Sequence, residues 1–414
     1  MQIKPILTAL RKHKAGTALI AIQIALTLAI VCNALFIIQQ RVAHLSESSG
    51  VDEAHLFVIE NQWVGKPSPE ELDAKMRADL NALRQISSVQ DATASNSYPL
   101  SGGGWDDGIK LNPDQPQVTS GSTIYFADEQ FLSTLDLKLV AGRNFRADEI
   151  GHMNTRDTLT PSVVIITRAL AEKLFPLPNG QGNAALGKTI YLMSSPTTVI
   201  GIVDQLQAQV VSRWADDFAH RSTLVPMRLT SPQETFYLVR ARPGQLEAAM
   251  HAAKPALLAQ SYKRIISDKD GVKSFADVRA KAYESDRGMA ILMGIVSVVL
   301  LAITAAGIVG LTSFWVGQRR RQIGVRRALG ATRGDILSYF MTENFLISSG
   351  GVFLGVLLAI AMNLWLVIRF EMHHLSMIYV LIGALILLVL GQCAVFAPAM
   401  RAARVSPVEA TRPV

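Results

Sequence analysis

Cysteine is scarce: Cys32 and Cys393 are the only two in 414 residues, and both fall inside long apolar runs. The polar part of the chain therefore has no disulfide framework. Charge is missing from four stretches, Ala15–Ile38, Met289–Val316, Phe345–Ile368 and Leu375–Met400, which hold no Asp, Glu, Lys or Arg. Each exceeds the roughly 20 residues that a helix needs to cross about 30 Å of hydrocarbon. Without charges in these spans, an ion-coupled transporter would lack the groups such machines use. Gly-x-Ser-x-Gly is absent, and nothing pairs a nucleophile with a base. The eight histidines are scattered, and adjacent His373 and His374 point apart on a helix or a strand, which argues against a metal site. No catalytic, metal-binding or cofactor-binding residue is expected of this chain.

What is present is a strong charge asymmetry. Four spans put both termini on one side, and flanking Lys and Arg resist translocation. Lys4, Arg11, Lys12 and Lys14 precede the first span; Arg319, Arg320, Arg321, Arg326, Arg327 and Arg333 lie between the second and third; Arg401, Arg404 and Arg412 follow the fourth. Only Asp335, Glu343 and Glu409 oppose them, so these segments carry +10, while residues 41–287 hold 26 basic and 29 acidic residues. The net charge of +7 is a topology signal beside anionic lipid headgroups, and no nucleic-acid partner is expected. The expected order is a cytoplasmic N-terminus 1–14, span 15–38, extracytoplasmic domain 39–288, span 289–316, cytoplasmic loop 317–344, span 345–368, outer loop 369–374, span 375–400 and cytoplasmic tail 401–414. A cleaved signal peptide fits the first span poorly, because its uncharged run of 24 residues exceeds the roughly 7–15 of a signal core. Cys32 and Cys393 sit at depths roughly 15 Å apart, too far for a bridge, and both are expected as buried small side chains.

The fold class that follows is a membrane protein of four transmembrane α-helices with an α+β extracytoplasmic domain inserted between helices one and two. In that domain, His55–Asn61, Ser162–Thr167, Thr189–Met193, Thr197–Val203 and Glu234–Arg240 are predicted as strands from their β-branched and aromatic runs. Pro69–Ile86 and Arg168–Phe175 are predicted as helices, and Ser101–Gly121, rich in Gly, Pro and Asp, as a loop or subdomain joint. Gly182-Asn-Ala-Ala-Leu-Gly187-Lys188-Thr189 imitates a phosphate loop. A Pro-rich turn precedes it and an extended segment follows, whereas a phosphate loop follows a strand and opens a helix. Turn and strand is the expected reading.

Several strings carry a family resemblance. Gln318-Arg-Arg-Arg-Gln-Ile-Gly-Val-Arg-Arg-Ala-Leu-Gly-Ala-Thr-Arg-Gly-Asp-Ile-Leu337 resembles the cytoplasmic loop of the MacB/FtsX-like permeases, and Pro398–Ala410 resembles their end after the last span. Leu139–Phe145, Ala171–Phe175, Leu186–Ile190 and Val199–Val203 are similar to their periplasmic core domain. Gln322 departs from the pattern, standing where the family usually has Glu. The resemblance implies a permease subunit of an ABC transporter in the bacterial plasma (inner) membrane, pairing with a second copy or a paralogue. Its implied partners are a cytoplasmic ABC ATPase, which uses the ATP, and a periplasmic adaptor, with membrane lipid around the spans. Export or extraction on the outer side, by mechanical transmission to the outer domain, is the leading expectation. An FtsX-like regulator of an outer partner such as a cell-wall hydrolase, and an anchored module without an ATPase, remain open alternatives.

The residues expected to couple to that ATPase are Gly330, Ala331, Thr332, Arg333, Asp335, Ile336, Leu337 and Phe340. A basic helix continuing span two should end at Gly330 in a left-handed conformation. Thr332-Arg-Gly-Asp335 has capping-box spacing, and Ile336, Leu337, Phe340 and Met341 share one helical face. That face suits either an ATPase groove or, lying on headgroups, an interfacial helix. Within the spans, Gln23, Asn33, Asn363 and Gln392 are expected to hydrogen-bond between helices, and Gly351-Val-Phe-Leu-Gly355 to allow close helix contact.

Overall fold

The structure, a computed structural model, describes residues 14–176, 182–212, 214–233, 235–370 and 376–404. Most of the expected N-terminal segment, residues 371–374 of the short outer loop with His373 and His374, Leu375 at the start of the expected fourth span, Glu234, and the tail beyond Arg404 lie outside the described residues. Numbered along the chain, the helices are α1 Lys14–Leu45, α2 Pro69–Arg84, α3 Phe131–Leu135, α4 Arg168–Leu174, α5 Leu246–Gln260, α6 Phe275–Ala282, α7 Glu284–Gln318, α8 Arg320–Ala328, α9 Arg333–Phe370 and α10 Met377–Ala403. The chain forms two compact units, residues 47–284 and a second made from the segments on either side of them.

In the membrane unit, α1, α7, α9 and α10 are long and apolar enough to cross a bilayer. The coupling segment and the third span form one continuous 38-residue helix, α9. α1 is the helix the others pack on. A Cβ on Gly351 would lie 2.9 Å from the carbonyl oxygen of Ala21, and one on Gly355 2.9 Å from Leu28 Cβ, so these two glycines let α9 approach α1 within the same chain. Polar side chains then tie the helices where lipid offers no other partner. Gln23 Nε2 donates to the Ile303 carbonyl (3.2 Å), Thr27 and Thr304 share a hydroxyl bond (2.8 Å), and Asn33 Nδ2 donates to the Ala359 carbonyl (3.3 Å). The Gln392 amide nitrogen has no partner among the described residues. At the ends of α1 and α7 that lead to the inserted domain, Arg41 Nη1 bonds Asp286 Oδ1 at 2.6 Å. Cys32 is buried against α10, but Cys393 is exposed on the outer face of its helix. The expectation for Cys393 fails because a helix apolar all round does not reveal which face meets its neighbours.

Among the described residues the inserted domain holds two main sheets, beside a two-stranded parallel pairing of Gly151–Met153 with Met227–Leu229. In the smaller, Leu56–Trp63 pairs antiparallel with Thr235–Ala241, which pairs with Val89–Ser95; Arg264–Ile265 and Val272–Ser274 pair with Leu56–Trp63. α2 begins cleanly because Ser68 Oγ accepts from the Glu71 N–H and Pro69 follows it, as a helix start favours. Its Met76, Leu80 and Leu83 then join Ala249, Ala253 and Leu257 of α5 in the core beside that sheet. The larger sheet runs Leu139–Gly142, Ser195–Val203, Val163–Thr167, Ser222–Val225, Ser120–Phe126, Trp105–Lys110, Thr189–Leu192, and the last strand returns to pair with Ser195–Val203. The segment read as a loop, Ser101–Gly121, therefore contains a strand, Trp105–Lys110, paired antiparallel with Ser120–Phe126. The phosphate-loop imitation becomes a short 3-10 turn at Gly182–Ala185 leading into the strand Thr189–Leu192, with Gly187 at φ +74°.

Candidate coupling site

The segment between α7 and α9 is a compact knob. α7 stops at Gln318, Arg319 turns the chain (φ −95°, ψ 10°), and α8 begins at Arg320. The expected single helix is thus two, hinged at Arg319. The hinge stays hydrogen-bonded, with the Arg319 N–H on the Trp315 carbonyl at 3.0 Å and the Ile323 N–H on the Arg319 carbonyl at 2.9 Å.

At the far end of α8, Gly330 adopts φ +98°. Its N–H reaches the Arg327 carbonyl (3.2 Å) while the Ala331 N–H reaches that of Arg326 (3.1 Å). This is the paired bonding of a Schellman end, which satisfies carbonyls the helix leaves free. Thr332 and Asp335 then cap α9 reciprocally: Asp335 N–H donates to Thr332 Oγ1 (3.2 Å), and Thr332 N–H and Oγ1 donate to Asp335 Oδ2 (2.9 and 2.6 Å). The two caps fix the path from Leu329 to Asp335 as a tight elbow.

The elbow divides the predicted residues into two groups. Ile336 and Phe340 are 3% and 4% exposed and share the membrane unit's own core with Ile323, Ala402 and Ala403, while Leu337 packs against it half-buried. They do not present a face to a partner. The apolar spacing of α9 was a correct sign of burial, but its covering comes from α8 and α10 of the same chain. Gly330, Thr332, Arg333 and Asp335 are exposed, and Ala331 is half-exposed.

Two features escaped sequence reasoning. Val325 on α8 and Leu329, four residues on at its C-terminal cap, are 45% and 83% exposed; the signal was there, as the pair stands in a strongly basic string. The second is the set of ties that hold α8 down. Arg319 bonds Glu343 of α9, the Arg326 guanidinium lies 5.1 Å over the Tyr339 ring, and Arg327 Nη1 donates to the Ala403 carbonyl at the end of α10 (3.1 Å). Exposed Arg320, Arg321, Arg326 and Arg333 surround the knob, and Gln322 is exposed beside them. Among the described residues no group of His, Cys, Asp and Glu is placed to hold a metal ion. Chemically the knob is an apolar tip in a basic surround, anchored to the helices behind it.

The family model of the MacB-like periplasmic core domain matches residues 17–256, more than half of the chain, and that of the FtsX-like permease C-terminal region matches residues 294–407. The chain belongs to the MacB/FtsX-like permease family. As in that family, the domain inserted between α1 and α7 is extracytoplasmic, and the knob falls inside the FtsX-like region. Among relatives, an uncharacterized ABC transporter permease, YvrN, of Bacillus subtilis is 25% identical over 297 residues, covering 70% of this chain and 69% of that one. The macrolide export ATP-binding/permease protein MacB of Chromobacterium violaceum is 27% identical over 321 residues, covering 75% of this chain and 47% of its own length. MacB of Hahella chejuensis is 25% identical over 386 residues, 90% of this chain and 53% of that one. The chain thus spans about half the length of these MacB relatives. The solved periplasmic region of MacB from Actinobacillus actinomycetemcomitans aligns with 57% of this chain and 97% of its own, at 14% identity and a TM-score of 0.32.

Proposed function

We propose that this permease works with a separate ATPase, which seats on the knob and drives the extracytoplasmic domain to export or extract a substrate on the outer side of the membrane. In this reading α8, both termini and the elbow face the cytoplasm, as their excess of Arg and Lys favours. The family implies an ATPase partner and pairing of two permease chains. ATP hydrolysis belongs to the partner and not to this chain. An adaptor outside the membrane would complete the assembly.

The observation that carries the reading is Leu329, 83% exposed at the tip of an elbow capped on both sides. An apolar side chain held out by fixed backbone, ringed by Arg, fits a groove with an apolar floor and an acidic rim. The MacB relatives are named for macrolide export, which makes hydrophobic compounds of that class the first substrates to test.

The test is co-purification of the ATPase with detergent-solubilised chain. Leu329→Asp should detach it while the chain remains folded and inserted, because a charge cannot be buried in an apolar seat. Ile336→Asp should instead destabilise the bundle. Parent-like ATPase binding by a folded Leu329→Asp protein would remove the knob from the interface.

A further inference from the structure

Between the strands Ser195–Val203 and Ser222–Val225 the chain does not stay on the surface. Leu206, Gln207, Ala208 and Gln209 are buried although they belong to no helix or strand. Irregular backbone is normally exposed because its polar groups need partners. Here the partners come from all around. Gln207 N–H donates to the Ser49 carbonyl (2.9 Å), Ala208 N–H to that of Ala219 (2.7 Å), and the Leu100 and Gly102 N–H groups donate to the carbonyls of Ala208 (3.2 Å) and Gln209 (2.9 Å).

Three bonds meet on Gln207. Besides the bond to Ser49, its carbonyl accepts from Tyr125 Oη (2.7 Å) and its Nε2 donates to Tyr283 Oη (2.8 Å). Ser49 follows closely on Leu45, where α1 ends, and Tyr283 directly precedes Glu284, where α7 begins. Tyr125 belongs to a strand of the seven-stranded sheet. One side chain and its peptide group therefore join the residues after α1, the residue before α7 and the body of the domain.

The surroundings are built for this contact. Gly50 has φ +85°, and a Cβ there would lie 2.4 Å from the Gln205 carbonyl oxygen, so only glycine lets the strands of chain approach. Gln205 Nε2 donates to the Ser48 carbonyl (2.7 Å), and Arg279 pairs with Glu53 (2.7 Å) while lying 5.2 Å over the Tyr283 ring. The arrangement also carries a cost. The side-chain oxygens of Gln207 and Gln209 are buried with no donor among the described residues, and such acceptors weaken a fold.

We propose that Gln207 is a positioning residue for transmission: it locks the chain after α1 and before α7 to the seven-stranded sheet, so that movement of the two helices reaches the sheet. The inference rests on the ATP-driven reading above.

The experiment is hydrogen–deuterium exchange on the full chain with its co-purified ATPase in nanodiscs, comparing nucleotide-free and ATP-bound states. The parent should show an ATP-dependent change in exchange both at residues 47–53 and in the strand Ser120–Phe126. Gln207→Met and Tyr283→Phe should keep ATPase binding and the change at residues 47–53, and clearly reduce it in the strand, since only the bonds of the Gln207 backbone to Ser49 and Tyr125 then remain. Because both remove the same bond, the double variant should match the singles. Variants that retain the full change in the strand would overturn the role of Gln207 and leave the ATP-driven reading standing. A parent with no ATP-dependent change anywhere would instead overturn the ATP-driven reading, and the transmission role with it.

Discussion

Arg319 Nη1 lies 3.1 and 3.0 Å from the two carboxylate oxygens of Glu343, and both side chains are largely buried. The pair joins the hinge between α7 and α8 to α9, so it sets where the knob sits. Removing one partner of a buried pair strands the other charge and costs about 3–5 kcal/mol. Glu343→Leu should therefore lower the melting temperature of the detergent-solubilised chain sharply. Arg319→Leu together with Glu343→Leu should recover most of the loss, since two apolar side chains leave no stranded charge. A single variant as stable as the parent would mean that the pair is not formed.

The contact of α9 with α1 depends on two missing side chains. Gly355→Val would place atoms where Leu28 already lies, and overpacking of this kind costs about 1–3 kcal/mol. Gly350, five residues before it on α9, has nothing within 4 Å of its Cβ position, and Gly350→Ala should be neutral or slightly stabilising. Thermal unfolding of both variants in the same detergent gives the comparison. Equal effects would place the α1 contact elsewhere.

The sequence exposed the spans because length and charge exclusion leave a helix in lipid few alternatives. It exposed the elbow too, since Gly330, Thr332 and Asp335 act through local backbone geometry. Facing was not legible. Ile336 and Phe340 have the spacing of a buried stripe, but spacing cannot say whether the cover is a partner or α8 and α10 of the same chain. Cys393 illustrates the converse, as every face of α10 is apolar. The strand Trp105–Lys110 was hidden because Asp106, Asp107 and Gly108 are poor strand formers; its place is set by pairing with Ser120–Phe126. Arg319 and Glu343 lie 24 residues apart, and no local pattern announces their contact. The same holds for Gln207 and Tyr283.

Orientation can be tested with exposed sites. Tyr262 is 85% exposed in the extracytoplasmic domain and Leu329 83% exposed at the knob. In a Cys393→Ser background, Tyr262→Cys should react with a membrane-impermeant maleimide in intact spheroplasts, and Leu329→Cys only after lysis. The reverse pattern would invert the proposed topology.

Asp128 gives the extracytoplasmic domain a pH dependence of defined sign. It follows the strand Ser120–Phe126 and accepts from Thr93 Oγ1 of the smaller sheet at 2.6 Å and from the Gln130 N–H at 3.1 Å, with Arg84 Nη2 3.9 Å away. Burial, with a smaller push from the neighbouring Glu129 charge, outweighs the Thr93, Arg84 and Gln130 contributions and raises its pKa from 3.8 to about 6. Between these values the folded domain holds a proton that the unfolded chain has lost. Stability from this group therefore falls as pH rises from about 4 to about 6, and the deficit above that range is on the order of 3 kcal/mol. Asp128→Asn keeps an oxygen to accept from Thr93 and removes the titration. At pH 7.5 the variant should melt above the parent, and the difference should shrink as pH falls through about 6 and be mostly gone near pH 4. The measurement is the unfolding transition of the full chain in detergent across that range. An Asn variant that melts below the parent at pH 7.5, or a difference that does not change with pH, would show that Asp128 is held charged in the folded domain.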